Sequence, residues 1–312
     1  MGVICHARRA RAAEPMGLHK RSPHGYHTTN MKFAIQHSTL YEYASPVWES
    51  FNDAHLCPVS DNFQQCQTFD LKITPESTST LRRLDFYTNQ VHYFEVLAPH
   101  KSLQVVAHSV IETFADRRDL SLAPSFGQLV GLDRDERFYD FLNSSARAKL
   151  SPLIEHEAKE LIDQSCNVLS QIERIMEFVF SEFKYAPGST QVESDVAQVF
   201  AHRRGVCQDF AHIMIAFCRV VGIPTRYVSG YFFVERTVCG SADDNTASHA
   251  WVECFLPGIG WVGYDPTHNR RVNQSYIKVA IGRDYTDVRP LAGTYRGEAV
   301  AKMEVSVTVE RL

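Results

Sequence analysis

From Met31 onward, apolar and polar positions alternate along the chain. Phe33, Ile35, Tyr41 and Tyr43 keep odd-numbered spacing, Phe69-Asp70-Leu71-Lys72-Ile73 alternates clearly, and Leu103 to Phe114 forms another long run. Leu84 to Tyr87 and Val91 to Val96, on either side of Thr88-Asn89-Gln90, predict a hairpin. Together these runs predict a β-rich domain over residues 31–115. Between 116 and about 181 the period becomes helical. Ser151-Pro152 is a cap and first-turn pair ahead of Leu153 to Ile162. Val168, Leu169, Ile172, Ile175, Met176, Val179 and Phe180 then make one apolar stripe at three- and four-residue spacing. A short helix is expected from about Asp195 to Ala201. Residues 267–297 read as loop-rich, with Gly282, Pro290, Gly293 and Gly297 as breaks. Met303, Val305, Val307 and Val309 alternate with polar residues, which predicts a half-buried strand within 298–312 that returns to the β-rich domain.

The most apolar stretch, Phe210 to Val221, is too long for a buried strand and is apolar on almost every side. It predicts a buried helix over about 207–221, with Gly222 as a left-handed stop and Pro224 forbidding continuation. Cys207 then lies in the first turn, where unpaired N–H groups and the positive dipole end favour an anion. That makes Cys207 a candidate nucleophile. A cysteine at a helix start is otherwise a small buried residue, so the assignment depends on partners.

The partners lie in Ser248-His249-Ala250-Trp251-Val252-Glu253-Cys254-Phe255 and Trp261-Val262-Gly263-Tyr264-Asp265-Pro266, separated by Leu256-Pro257-Gly258-Ile259-Gly260. These two runs predict a β-hairpin. If Phe255 faces Trp261, paired numbers sum to 516, and Asp265 faces Trp251 on the face of His249 and diagonal to it. A sum of 514 would set His249 opposite Asp265. An odd sum would separate them on opposite faces.

The order Cys, His, Asp, carried by Gly-Val-Cys-Gln-Asp-Phe-Ala at 205–211, Ser-His-Ala-Trp-Val-Glu at 248–253 and Gly-Tyr-Asp-Pro-Thr at 263–267, resembles the transglutaminase-like superfamily. It is most similar to the bacterial transglutaminase-like proteins often labelled cysteine proteases. Gly222 to Tyr231, Gly282-Arg283-Asp284-Tyr285 and Gly293-Thr294-Tyr295 also resemble that group, so the likeness covers most of residues 170–297. It implies an α+β fold with a papain-like core, in which the Cys-bearing helix packs on an antiparallel sheet carrying the histidine and the acid. The domains are then a β-rich N-terminal region at 31–115, a catalytic domain at 116–297 and the returning strand. By the same resemblance, Cys207 attacks a peptide or carboxamide carbonyl, His249 takes and returns the proton, and Asp265 orients the imidazole. The Cys207 N–H would be one oxyanion donor, and Tyr185 stands where related enzymes place an oxyanion-stabilising side chain. Hydrolysis is the leading expectation. Amine transfer, as in a transglutaminase or ligase, and a non-catalytic binding module are the alternatives.

Nearby residues have plainer uses. Trp251, Gln208 and His268 are candidates to line the cleft, with core packing an equal expectation for Trp251. His212, five residues beyond Cys207, points away from the thiol and is expected to be a satisfied core histidine. Asp209 is expected to favour the helix N-terminus, and Arg226 to pair with an acid. His37, His92 and His108 are expected to be ordinary strand residues.

The 312 residues can bury a sizeable core and allow two domains. A hydrophobic content of 44% and a charged content of 22% are ordinary for a globular protein, and a net charge of −4 leaves no basic footprint for nucleic acid. No run approaches the ~18 to 20 apolar residues needed to span a bilayer. Eight cysteines, scattered without CxxC pairs, argue against a disulfide framework and a zinc ribbon. A cytoplasmic, reducing setting is therefore expected, with a peptide or protein substrate and no metal or cofactor. Residues 1–30 carry Arg8, Arg9, Arg11, Lys20 and Arg21 against Glu14, a charge of +4 that leaves −8 for the remainder. They lack an apolar signal core and are expected to be a disordered extension.

Overall fold

A computed structural model describes residues 30–163, 165–188, 196–235, 248–298 and 300–312. The expected basic extension before Asn30 and the expected helix start at Asp195 lie outside them. The N-terminal strands are β1 (Met31–Ala54), β2 (Gln64–Thr74), β3 (Ser79–Leu84), β4 (Gln90–Val96) and β5 (His100–Thr113). β1 organises this region, because its first half pairs with β5 and its second half with β4. Odd positions Phe33, Ile35, His37, Thr39 and Tyr43 face inward, as their spacing predicts. At Glu49 the backbone turns to φ 50° and the register slips, after which Ser50, Asn52 and Ala54 are the buried positions. A one-residue slip reverses the faces, so one strand serves two differently oriented wings.

The expected hairpin is displaced. β3 ends at Leu84, where it faces Gln90, and residues 85–89 form the turn. Asp85 causes this, since its Oδ1 accepts the N–H groups of Tyr87 and Asn89 and holds the chain out of the strand.

The chain continues through α1 (Glu136–Leu142), α2 (Pro152–Glu160), α3 (Val168–Glu182), β6 (Lys184–Tyr185), α4 (Val196–His202), β7 (Arg204–Gly205) and α5 (Cys207–Val220). Ser151 caps α2 by accepting the Ile154 N–H. The α3 stripe buries Val168, Ile172, Ile175, Met176 and Val179, but Phe180 is 47% exposed. Gln171 is buried instead, spending its amide on the Asp163 N–H and the Leu161 carbonyl.

The second sheet contains β8 (Thr225–Phe232), β9 (His249–Leu256), β10 (Gly260–Asp265), β11 (Arg270–Arg271) and β12 (Tyr276–Gly282), in the order β11-β10-β9-β8-β12. Ala250, Val252, Cys254 and Leu256 of β9 join Val262 and Tyr264 of β10 in the core that α5 fills with Phe210 to Cys218. Trp251 lies on the other face with Val228 and Tyr276. β12 and then β13 (Leu291–Arg296) correct the expectation of a loop-rich 267–297: the β-favouring run Tyr276 to Ile281 is a strand of the core sheet, and β13 pairs with β1.

β14 (Val300–Arg311) lies along β1, from Phe33 facing Arg311 to Tyr43 facing Val300. Val307 and Val309 are buried there, whereas Met303 and Val305 stay exposed. The two sheets are joined by side chains that imitate a strand at the outer edge of β12. The Gln64 amide exchanges hydrogen bonds with both backbone groups of Lys278, and the Asn89 amide does the same with Ile281. His37 makes a further link, its Nδ1 lying 3.0 Å from the Tyr231 hydroxyl, and burial pushes this histidine down to about 4, so it stays neutral. No helix among the described residues is long and apolar enough to cross a membrane.

Candidate active site

Cys207 is the first residue of α5, and the turn before it is built by Gly205 and Asp209. Asp209, three residues into the helix, folds back so that its Oδ2 accepts the Val206 N–H at 2.8 Å. A Cβ on residue 205 would lie 2.7 Å from the Asp209 side chain, so glycine is needed for that fold-back. Asp209 is therefore a buried helix-start residue, as expected of it. Gln208 sits half-buried beside Cys207 in the first turn. Tyr185 is brought to the same place by a parallel bridge with Gly205. It is 50% exposed, with its ring edge-on to Phe210 at 6.3 Å.

His249 opens β9 and Asp265 closes β10. The hairpin adopts the 516 register, with Phe255 facing Trp261 and Val252 facing Tyr264. That sets Asp265 beside Trp251 and diagonal to His249. His249 Nε2 lies 2.8 Å from Asp265 Oδ2, and the Cys207 side chain at the start of α5 bears on the same imidazole. With Nε2 committed to the carboxylate, Nδ1 is the nitrogen left for the thiol. Burial opposes a charge on His249, but Asp265, together with Cys207 where it is a thiolate that accepts from the ring, outweighs it and pushes the group up to about 10. Asp265 is fully buried. Burial would raise its carboxyl, yet hydrogen bonds and charge from His249 and His268 hold it well below the usual carboxylate range.

His268 lines the site by bonding the same acid. Its Nδ1 is 2.7 Å from Asp265 Oδ2, while its backbone N–H and that of Thr267 go to Oδ1. Tyr276 also donates to Oδ2, at 2.7 Å. Tyr276 falls in a stretch that reads as loop in the sequence, and the β-favouring run that it opens is the local signal of its strand. Trp251 is 1% exposed and lies 6.2 Å from His249 in a stacked arrangement, with Tyr276 edge-on to it. It is a packed wall behind the imidazole. Gly230 of β8, directly opposite His249 of β9, leaves the room for this wall, since a Cβ there would come within 2.5 Å of Trp251 and 2.1 Å of the Ile277 carbonyl.

The remaining histidine and arginine of the region belong to the scaffold. His212 Nε2 accepts the Tyr285 N–H, and burial pushes it down to about 4. Arg226 pairs with Glu253. Among the described residues, His249, Asp265 and His268 form a group whose ligand atoms lie within 4.8 Å of one another. Oδ2 of this group already accepts three hydrogen bonds, an arrangement of N–H and O–H donors around a carboxylate that leaves few lone pairs for an ion.

Residues 156–266 match the model of the transglutaminase-like superfamily, a span that holds Cys207, His249 and Asp265, and residues 33–112 match the bacterial transglutaminase-like N-terminal region. Uncharacterized protein ML0607 of Mycobacterium leprae is 34% identical over 286 residues, covering 90% of this chain and 99% of that protein. The chain belongs to the transglutaminase-like superfamily. Its transglutaminase-like fold matches the crystal structure of a Cytophaga hutchinsonii protein, provisionally named a cysteine protease, with a TM-score of 0.72 and 22% identity over 90% of this chain and 91% of that one. A protein-glutamine gamma-glutamyltransferase of Pseudomonas aeruginosa is 31% identical over 132 residues, 39% of this chain and 20% of that protein.

Proposed function

We propose that this transglutaminase-like protein is a thiol-dependent acyl-transfer enzyme that hydrolyses peptide or carboxamide bonds. The observation that carries the reading is the placing of His249 between two groups, with Asp265 Oδ2 2.8 Å from Nε2 and the Cys207 sulfur bearing on the same ring. In this mechanism the Cys207 proton passes to His249 Nδ1, and the thiolate attacks the substrate carbonyl. The C–N bond breaks, the proton leaves with the amine, and a thioester remains on Cys207. His249 then draws a proton from water, whose oxygen displaces the sulfur and releases the acid. Asp265 keeps the Nε2–H tautomer, so the lone pair of Nδ1 faces the thiol. The positive end of α5 favours the thiolate. Tyr185 and the Cys207 N–H are the proposed oxyanion donors, and Gln208 borders the cleft. An amine acceptor in place of water would give the transfer chemistry named for the Pseudomonas aeruginosa relative. Hydrolysis stands first because water needs no dedicated pocket.

The test is the rate of Cys207 alkylation against pH, located by peptide mass spectrometry, in the wild type and in His249→Ala. An ordinary thiol reacts in proportion to its ionisation around ~8.5. Fast labelling that persists a unit or more below ~7.5 and slows in the variant supports the thiolate–imidazolium pair. Labelling no faster than at the other cysteines would sink the catalytic reading and favour a binding module.

A further inference from the structure

Asp265 accepts more hydrogen bonds than an orienting carboxylate needs. Oδ1 takes the backbone N–H groups of Thr267 and His268, at 2.8 and 3.3 Å. Oδ2 takes His249 Nε2 at 2.8 Å, His268 Nδ1 at 2.7 Å and the Tyr276 hydroxyl at 2.7 Å. The backbone bonds already fix the carboxylate plane. What Tyr276 and His268 alter is its charge, because donors that stabilise a carboxylate weaken its pull on any one partner. Tyr276 is built for this. It is 4% exposed, stacks on Phe232 at 4.3 Å, and is held as a neutral donor by burial and by the carboxylate itself. His268 reaches in from the turn after β10, with its ring 5.2 Å from that of His249.

We infer that Tyr276 and His268 are positioning residues that act through Asp265, dividing the charge of Oδ2 among three donors so that His249 releases its proton to a leaving amine more readily than beside an unshared carboxylate. The inference rests on the triad reading above. The groups that bear on His249 are Cys207 from α5, Asp265 from β10, His268 from the following turn and Tyr276 from β12, with Arg270 over the Phe232 ring.

The experiment is an NMR titration of His249 in the full chain labelled with ¹⁵N-histidine, with the signal assigned from His249→Gln. Wild type, Tyr276→Phe and His268→Phe are compared, each also in a Cys207→Ala background so that the thiol's own proton does not enter the titration. Tyr276→Phe keeps the stacked ring, and His268 is partly exposed, so both substitutions suit the fold. Removing either donor should raise the His249 midpoint by about half a pH unit or more. A purely structural role would loosen Asp265 and lower the midpoint. An unchanged or lowered value overturns the inference for the residue replaced. The readout uses neither substrate nor alkylating reagent, so a dormant Cys207 would defeat the proposed function and leave this measurement standing.

Discussion

Glu253 lies midway along β9 on the face of Trp251, and through Lys278 it ties the second sheet to the loop between β1 and β2. Its Oε2 accepts Arg226 Nε and Nη2 at 2.8 and 2.6 Å, its Oε1 accepts Lys278 Nζ at 2.6 Å, and Lys278 reaches on to Asp61 at 2.8 Å. Burial alone would raise this carboxyl, but Lys278 and Arg226 hold it at about 2 against an ordinary 4.5. A depressed carboxyl contributes stability that is fully present above pH 4.5 and is lost as pH falls through about 2. At ~1.4 kcal/mol per tenfold, the gap is worth about 3 kcal/mol, of which about 2 kcal/mol is gone by pH 3. Glu253→Gln keeps the shape and leaves two half-buried cations, Arg226 and Lys278, short of a partner. Breaking such a pair costs about 3–5 kcal/mol, in line with the linkage figure. Urea unfolding of both proteins from pH 7 to pH 3 should show the variant less stable by roughly 3 kcal/mol or more at neutral pH, with the difference shrinking as the wild type loses its contribution. Parallel pH curves would refute the reasoning, because the loss would then owe nothing to the charge of Glu253.

Gly205→Ala should cost about 1–3 kcal/mol and slow Cys207 alkylation, since the new Cβ meets Asp209 at 2.7 Å and breaks the turn that aims the thiol; an unchanged melting temperature and rate would contradict the packing argument. Deleting residues 302–312 should lower the melting temperature and expose the edge of β1, because β14 covers that edge from Phe33 onward and buries Val307 and Val309; unchanged stability would defeat the idea.

The parts of the fold legible in the sequence are those whose information is local. The length and apolarity of 207–221 define α5, and the Pro-Gly loop between two aromatic runs defines the β9–β10 hairpin. The parity of that hairpin brings His249 and Asp265, 16 residues apart, to one face. Where the reading failed, the determinant was a side chain acting at a distance or a change of backbone sense. Asp85 stops β3 through bonds to the backbone ahead of it, and Glu49 reverses the faces of β1 at a positive φ that apolar periodicity cannot register. Phe180 fits the α3 stripe by spacing, yet Gln171 is buried because its amide finds two backbone partners.

The candidate site divides along the same line. The junction of Cys207 with His249 comes from the start of a helix and the first residue of a strand that face each other only after α5 has packed on the even positions of β9. Alternation predicts that packing but not the meeting at its end, which the motif order supplied through resemblance. Tyr276 is further from reach. It stands on β12, with β8 and β9 between that strand and the one carrying Asp265, so its bond to Oδ2 depends on the order of the whole sheet. Nothing in the residues around Tyr276 encodes that order. A residue of this kind reaches a site without leaving a motif, and Asp265 Oδ2 accordingly has two donors that its own sequence neighbourhood only half reveals: His268 three residues away, and Tyr276 eleven residues away on the far edge strand.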